Sequence, residues 1–273
     1  MREIQPVVSP QWLVSQLHAP HLVIVDCRFQ LADPEWGYQQ YLKDHIPGAF
    51  YLDLNQDLSA PAGQHGGRHP LPDLEQLAGR LSEIGIFSGK SCVIAYDDSR
   101  FAFAARLWWL LRYLGHPLVA VLDGGWQNWQ KLGYSRSDRL PTAQVGRFIA
   151  QPQSGWTVDI TEVRTRKDLP AVVLIDSREG DRYRGEREPI DPLAGHIPGA
   201  VNSPWQQVTD EQGYLQPLAV HQQLWADYQL ADELIVYCGS GVTACANLLS
   251  MKLAGVKNAK LYPGGWSDWC SYS

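Results

Sequence analysis

Cys238 closes an apolar run, Leu234-Ile235-Val236-Tyr237, and opens the segment Cys238-Gly239-Ser240-Gly241-Val242-Thr243. Two glycines within three residues bend the chain, and residues 244–253 then read as a helix. A cysteine between a strand end and a helix start is a physical recipe for an activated thiolate. Loop N–H groups and the positive end of the helix dipole can both point at the sulfur. The chemistry predicted for Cys238 is nucleophilic.

Several cysteine chemistries fail on spacing. A phosphatase loop needs an arginine six positions after the cysteine to clamp phosphate bidentately, and Ala244 stands there. A papain-like hydrolase needs a downstream histidine, and none follows Cys238. A thioredoxin-like oxidoreductase needs Cys-x-x-Cys, which the chain lacks. What remains is a thiolate that takes a sulfur atom from an anionic donor, in a loop whose N–H groups would stabilise a terminal persulfide.

The elements that must position this loop occur twice. Asp176-Ser177-Arg178 follows a strand 150 residues after Asp26-Cys27-Arg28 does the same. His196-Ile197-Pro198-Gly199-Ala200 repeats residues 45–49 identically at an offset of 151. Gly264-Gly265-Trp266 repeats Gly124-Gly125-Trp126, and Val158-Asp159 opens a helix as Val8-Ser9 does. This order signals internal duplication. Strands alternating with helices (21–26, 74–84, 92–96, 101–114, 118–122 in the first copy) predict an α/β fold of two tandem domains, each a mainly parallel sheet flanked by helices. The expected domains are 1–140 and 155–273, joined by a polar, proline-punctuated linker near 135–155.

The duplication carries its own control. Aligning Val93-Ile94-Ala95-Tyr96 with residues 234–237 puts Asp97 opposite Cys238. The first copy continues Asp98-Ser99-Arg100, without the Gly-x-Gly expected of a tight backbone cradle. The chemistry is therefore expected in the second copy, with the first as support and as a wall of the cleft. His45 and His196 occur in both copies and are read as structural, the paired glycines as turn formers, and Trp126 and Trp266 as core.

Bulk composition narrows the class further. With 45% hydrophobic residues and 11 tryptophans the chain can bury two cores, and a net charge of −6 argues against nucleic acid as a partner. Five scattered cysteines suit reduced thiols in the cytoplasm better than a disulfide framework, and Cys27, Cys92, Cys245 and Cys270 read as small buried hydrophobes. The N-terminus lacks a signal-peptide core, and no apolar run is long enough to span a bilayer.

Duplicated α/β halves, paired His-Ile-Pro-Gly-Ala and Gly-Gly-Trp motifs and one Cys-Gly-Ser-Gly-Val-Thr loop resemble the tandem-domain rhodanese superfamily over essentially the whole chain. Within it, the loop resembles that of the 3-mercaptopyruvate sulfurtransferases. Vertebrate thiosulfate sulfurtransferases carry Arg and Lys after the cysteine, where this chain has the neutral Gly239 and Ser240. The resemblance implies that Cys238 forms the persulfide and that Ser240 and His69 assist proton movement. It further implies that Arg182 holds the donor carboxylate, with Gly239, Gly241, Val242 and Thr243 lining the donor. A second substrate arginine is absent where Glu188-Pro189-Ile190-Asp191-Pro192 stands, and Arg187 is its nearest replacement. The acid partner of the histidine falls on Asn55, with Asp53 and Asp57 beside it. The implied function is transfer of sulfane sulfur from mercaptopyruvate or thiosulfate to cyanide or a thiol, including a thioredoxin-like protein, without metal or organic cofactor. The rival is a sulfur-relay module that receives persulfide from a protein.

Overall fold

The structure, a computed structural model, describes residues 4–142 and 144–273. The first three residues of the N-terminal segment and Ala143 of the expected linker lie outside the described residues. The chain forms two units. Of the described residues, unit 1 takes those up to Ala60, those between Pro72 and Gln153, and Glu211–Leu215; unit 2 takes Pro61–Leu71, Ser154–Asp210 and Gln216–Ser273. Each unit thus includes a short segment from the opposite half of the sequence, an exchange that two consecutive blocks, 1–140 and 155–273, do not anticipate.

Unit 1 is built on a parallel sheet of Val7–Val8 (β1), Leu22–Asp26 (β2), Phe50–Tyr51 (β3), Cys92–Tyr96 (β4) and Val119–Leu122 (β5), in the order β1-β5-β4-β2-β3. Unit 2 has Val172–Asp176 (β6), Val201–Asn202 (β7), Glu233–Tyr237 (β8) and Ala259–Leu261 (β9), also parallel, in the order β7-β6-β8-β9. β4 and β8 are buried along their whole lengths, as strands covered on both faces must be. Leu13, Ile46, Ile94 and Trp129 anchor the core of unit 1, and Val163, Ile197, Ile235 and Trp266 that of unit 2.

Local chemistry starts the equivalent helices. The Ser9 hydroxyl accepts the Trp12 N–H at 3.1 Å, and Asp159 with Glu162 forms a capping box. Each such cap contributes about 1 kcal/mol. The register then makes the two units comparable. Asp26 pairs with Tyr96 in unit 1, and Asp176 pairs with Tyr237 in unit 2. The residues that follow, Asp97 and Cys238, therefore leave equivalent central strands.

The helix expected over 101–114 begins instead at Ala104. Arg100 and Phe101 have φ of 58° and 74°, in the left-handed region that helices exclude.

Candidate active site

Cys238 leaves the C-terminal end of β8 as a free thiol with 2% of its surface exposed. The loop it opens runs into the helix Ala244–Ala254. Gly241 sits at φ +70°, and a Cβ there would lie 2.3 Å from the Pro263 carbonyl oxygen, so both conformation and space require glycine. The following Gly-Gly-Trp turn grips the loop from its other side. The Trp266 N–H donates to the Cys238 carbonyl at 2.8 Å, and the Ser267 N–H donates to that of Gly239 at 2.9 Å. Val242 is buried and Thr243 half-buried beside them.

His69 and Ser240, 171 positions apart, meet at 2.7 Å between Nδ1 and Oγ, and both are buried. His69 reaches this place on the 61–71 segment, which is pinned within unit 2. The Gly66 N–H donates to Asp268 at 2.6 Å, and the Arg68 N–H donates to the Ser267 hydroxyl at 3.1 Å. Asp53 and Asp57 are engaged within unit 1: Asp53 accepts the Asn55 and Gln56 N–H groups, and Asp57 pairs with Arg80.

Arg182, in the short helix Gly180–Tyr183, presents its guanidinium to Gly239; both Nη atoms lie 3.8 Å from where a Cβ of residue 239 would be. Glu188 holds Arg182 at 2.7 Å and Asp191 approaches it at 3.3 Å. Asp191 also pairs with Arg68. Burial pushes the Asp191 carboxyl above its ordinary range against the pull of Arg68 and Arg182. For Glu188, burial is outweighed by hydrogen bonds from Arg182 and from the N–H groups of Asp191 and Ile190, which leaves its carboxyl below the usual range. Arg187 is elsewhere: its side chain is 50% exposed and pairs with Asp181 at 2.6 Å. The structure thus brings Cys238, Gly239, Ser240, Gly241, His69 and Arg182 together, and leaves Arg187 outside the group.

Unit 1 shows what the same strand end becomes without the thiol. Asp97 Oδ1 accepts the N–H groups of Ser99 and Phe101 at 2.9 and 3.1 Å, and Oδ2 those of Phe103 and Ala104 at 2.9 and 2.8 Å. The absence of Gly-x-Gly predicts no cradle here, and that reading is corrected. The amides do turn inward, with non-glycine residues at positive φ, and they close around the loop's own carboxylate. The hydrogen bonds from four amides offset the cost of that backbone.

The rhodanese-like domain family matches residues 9–132 and 159–272. The chain belongs to this family. It is 42% identical to a Pseudomonas aeruginosa protein described as a probable 3-mercaptopyruvate sulfurtransferase, over 96% of this chain and 94% of that protein. It is 30% identical to the Arabidopsis thaliana thiosulfate/3-mercaptopyruvate sulfurtransferase 1, over 98% of this chain and 76% of that one. The crystal structure of SseA, a 3-mercaptopyruvate sulfurtransferase from Escherichia coli, superposes with a TM-score of 0.81 at 31% identity, covering 97% of this chain and 100% of that one.

In this rhodanese-like fold the other cysteines are packed as hydrophobes. Burial, with the nearby carboxylates of Asp26, Asp97 and Asp57, pushes the Cys27 thiol well up, and burial takes Cys92 and Cys270 to about 11. Cys245 is buried in the helix that follows the loop. His45 and His196 each place Nδ1 2.7 Å from a backbone carbonyl, of Tyr41 and Tyr183, and stack on those tyrosines. Three residues beside the loop escaped the sequence reading: Arg68, Glu188 and Asp191. The one available signal for Arg68 was its adjacency to His69. Among the described residues no group of three or more His, Cys, Asp or Glu is placed to hold a metal ion, and no helix is long and apolar enough to cross a membrane.

Proposed function

We propose that the chain is a sulfurtransferase that carries sulfane sulfur on Cys238, with 3-mercaptopyruvate as its preferred donor. The observation that carries this reading is the assembly of Cys238, the Ser240–His69 pair and the Arg182 guanidinium around one loop. A relay module that takes sulfur only from a protein partner has no need of a buried guanidinium and a hydroxyl–imidazole pair beside its thiol. The likeness to proteins named as 3-mercaptopyruvate sulfurtransferases supports the same reading.

In the first step the Cys238 thiolate attacks the sulfur of mercaptopyruvate, and the S–S bond forms as the C–S bond breaks. The electron pair leaves on the methylene carbon as the enolate of pyruvate, which takes up a proton. Ser240, hydrogen-bonded to His69, is the proposed route for that proton. Arg182 holds the donor carboxylate through charge-assisted hydrogen bonds. The N–H groups that follow Cys238 receive the terminal persulfide, as those of unit 1 receive Asp97. In the second step a thiolate or cyanide attacks the outer sulfur and Cys238 departs as thiolate. A reduced thioredoxin-like protein is a suitable acceptor, and the cytoplasm a suitable compartment for such thiols.

Glu188 and Asp191 offset the charges of Arg182 and Arg68, so the neighbourhood favours a singly charged donor over the dianion thiosulfate. With one common acceptor, kcat/KM for mercaptopyruvate should exceed that for thiosulfate by about tenfold or more, a difference of ~1.4 kcal/mol. The reverse order would reassign the donor. Arg182→Ala should raise KM for mercaptopyruvate by about ten- to a hundredfold, since a charged hydrogen bond contributes about 1.5–3 kcal/mol. An unchanged KM would remove Arg182 from the donor site.

A further inference from the structure

We propose that Arg68 is the second guanidinium of the donor site and engages the donor's oxyanion end together with Arg182. This rests on the reading of Cys238 as the sulfur carrier.

The first support is position. A Cβ on Gly239 would stand 2.9 Å from Arg68 Nη2 and 3.8 Å from both Nη atoms of Arg182. Two guanidinium groups therefore converge on the same face of the residue next to the nucleophile. A side chain at 239 would displace the Arg68 guanidinium from this position, and glycine leaves room for an arginine that arrives from 171 positions earlier.

The second support is how the pair is held. Asp191 gives one oxygen to Arg68 Nη1 and the other to Arg182 Nη2, and its own side chain is only 2% exposed. One buried carboxylate thus sets the spacing of two forks. Asp191 takes Nη1 of Arg68 and leaves Nη2 as the atom facing Gly239. The backbone of Arg68 is fixed by its N–H bond to Ser267, and Gly67 beside it packs so closely on Gly264 that a Cβ would come within 2.3 Å of that carbonyl. Such fixed forks lose little entropy on binding a planar anion.

The third support is accessibility. The Arg68 side chain is 29% exposed, against 50% for Arg187, whose guanidinium pairs with Asp181 instead. Arg68 is held by the site and still reachable. Asp191 and Glu188 already offset much of the two guanidinium charges, so the remaining N–H donors suit one small, singly charged anion. The ligand class that fits is a small carboxylate, such as an α-keto acid.

The test uses the full-length chain with Arg68→Gln, which keeps an N–H donor for Asp191 but no charge, and Arg68→Lys, which keeps the charge. Cys238 is alkylated with anionic iodoacetate and with neutral iodoacetamide, and each rate is read on the Cys238 peptide by mass spectrometry. In Arg68→Gln the iodoacetate-to-iodoacetamide rate ratio should fall about tenfold, while Arg68→Lys retains most of it. The neutral reagent reports loop integrity, since a disordered loop would change both rates. KM for mercaptopyruvate should rise about tenfold in Arg68→Gln, with the larger part of the loss in KM rather than kcat. A ratio within about twofold of wild type, or an unchanged KM, overturns the proposal and leaves Arg68 as a tether for Asp191. If wild-type protein turns over no mercaptopyruvate while the ratio still falls, the donor reading fails and the anion-binding role of Arg68 stands.

Discussion

Replacing Cys238 with serine should abolish sulfur transfer from every donor, by more than about a thousandfold in kcat, because removing a nucleophile removes the covalent route itself. The substitution changes one atom in a site that is 2% exposed, and the β8 ladder and the Trp266 N–H bond to the Cys238 carbonyl remain. Stability should therefore drop by only about 1 kcal/mol, within the common range for single substitutions. Cys27, Cys92 and Cys270 are poorly suited to compensate. Burial raises the thiols of Cys27, Cys92 and Cys270, which disfavours the thiolate form that attack requires. Steady-state turnover with mercaptopyruvate and thiosulfate, alongside thermal melts, checks both halves of this expectation. Residual turnover near the wild-type rate would move the sulfur carrier away from Cys238.

Gly241→Ala should be the most damaging conservative change in the loop. The left-handed conformation alone costs an alanine about 1–2 kcal/mol. Its Cβ would also sit 2.3 Å from the Pro263 carbonyl oxygen, a backbone atom that cannot swing aside. Either the loop or the 263–267 turn must move, and that turn holds the Cys238 and Gly239 carbonyls through the Trp266 and Ser267 N–H groups. Gly255 supplies the control, because it has φ of 86° and nothing within 4 Å of its would-be Cβ. Gly255→Ala should lose only the conformational part, about 1 kcal/mol, with activity kept. Gly241→Ala should lose about 3 kcal/mol or more and over tenfold in kcat/KM. Chemical denaturation and kinetics on the two variants separate strain from crowding. Equal losses would mean that the contact with Pro263 relaxes freely.

Much of the fold was legible because its signals are local. The apolar runs that end at Asp26, Tyr96, Asp176 and Tyr237 appear as paired parallel strands, and Ser9 and Asp159 cap the helices they precede. The helix near Ala104 was misplaced by three residues because nothing local announces that Asp97 would collect the N–H groups of Phe103 and Ala104. The candidate site divides the same way. Cys238, Ser240 and the two glycines share one short loop and were named together. His69 and Arg182 are implied only by resemblance, and Arg187 only by its closeness in sequence to the expected position.

The sequence by itself determined the duplicated α/β organisation, the family, and the one strand end that carries a thiol where its twin carries Asp97. The organisation and the odd strand end follow from periodicity, glycine spacing and repeated motifs, each within a few residues of chain, and the family follows from what those motifs resemble. Only the tertiary structure decided which charges surround that thiol. The 61–71 segment belongs to unit 2, where it brings Arg68 to Asp191 and Gly239, and His69 to Ser240. The physical reason is distance along the chain. A buried carboxylate takes its partner from whichever guanidinium the fold delivers within hydrogen-bond reach, and contacts spanning more than 120 residues leave no periodic trace in composition or spacing.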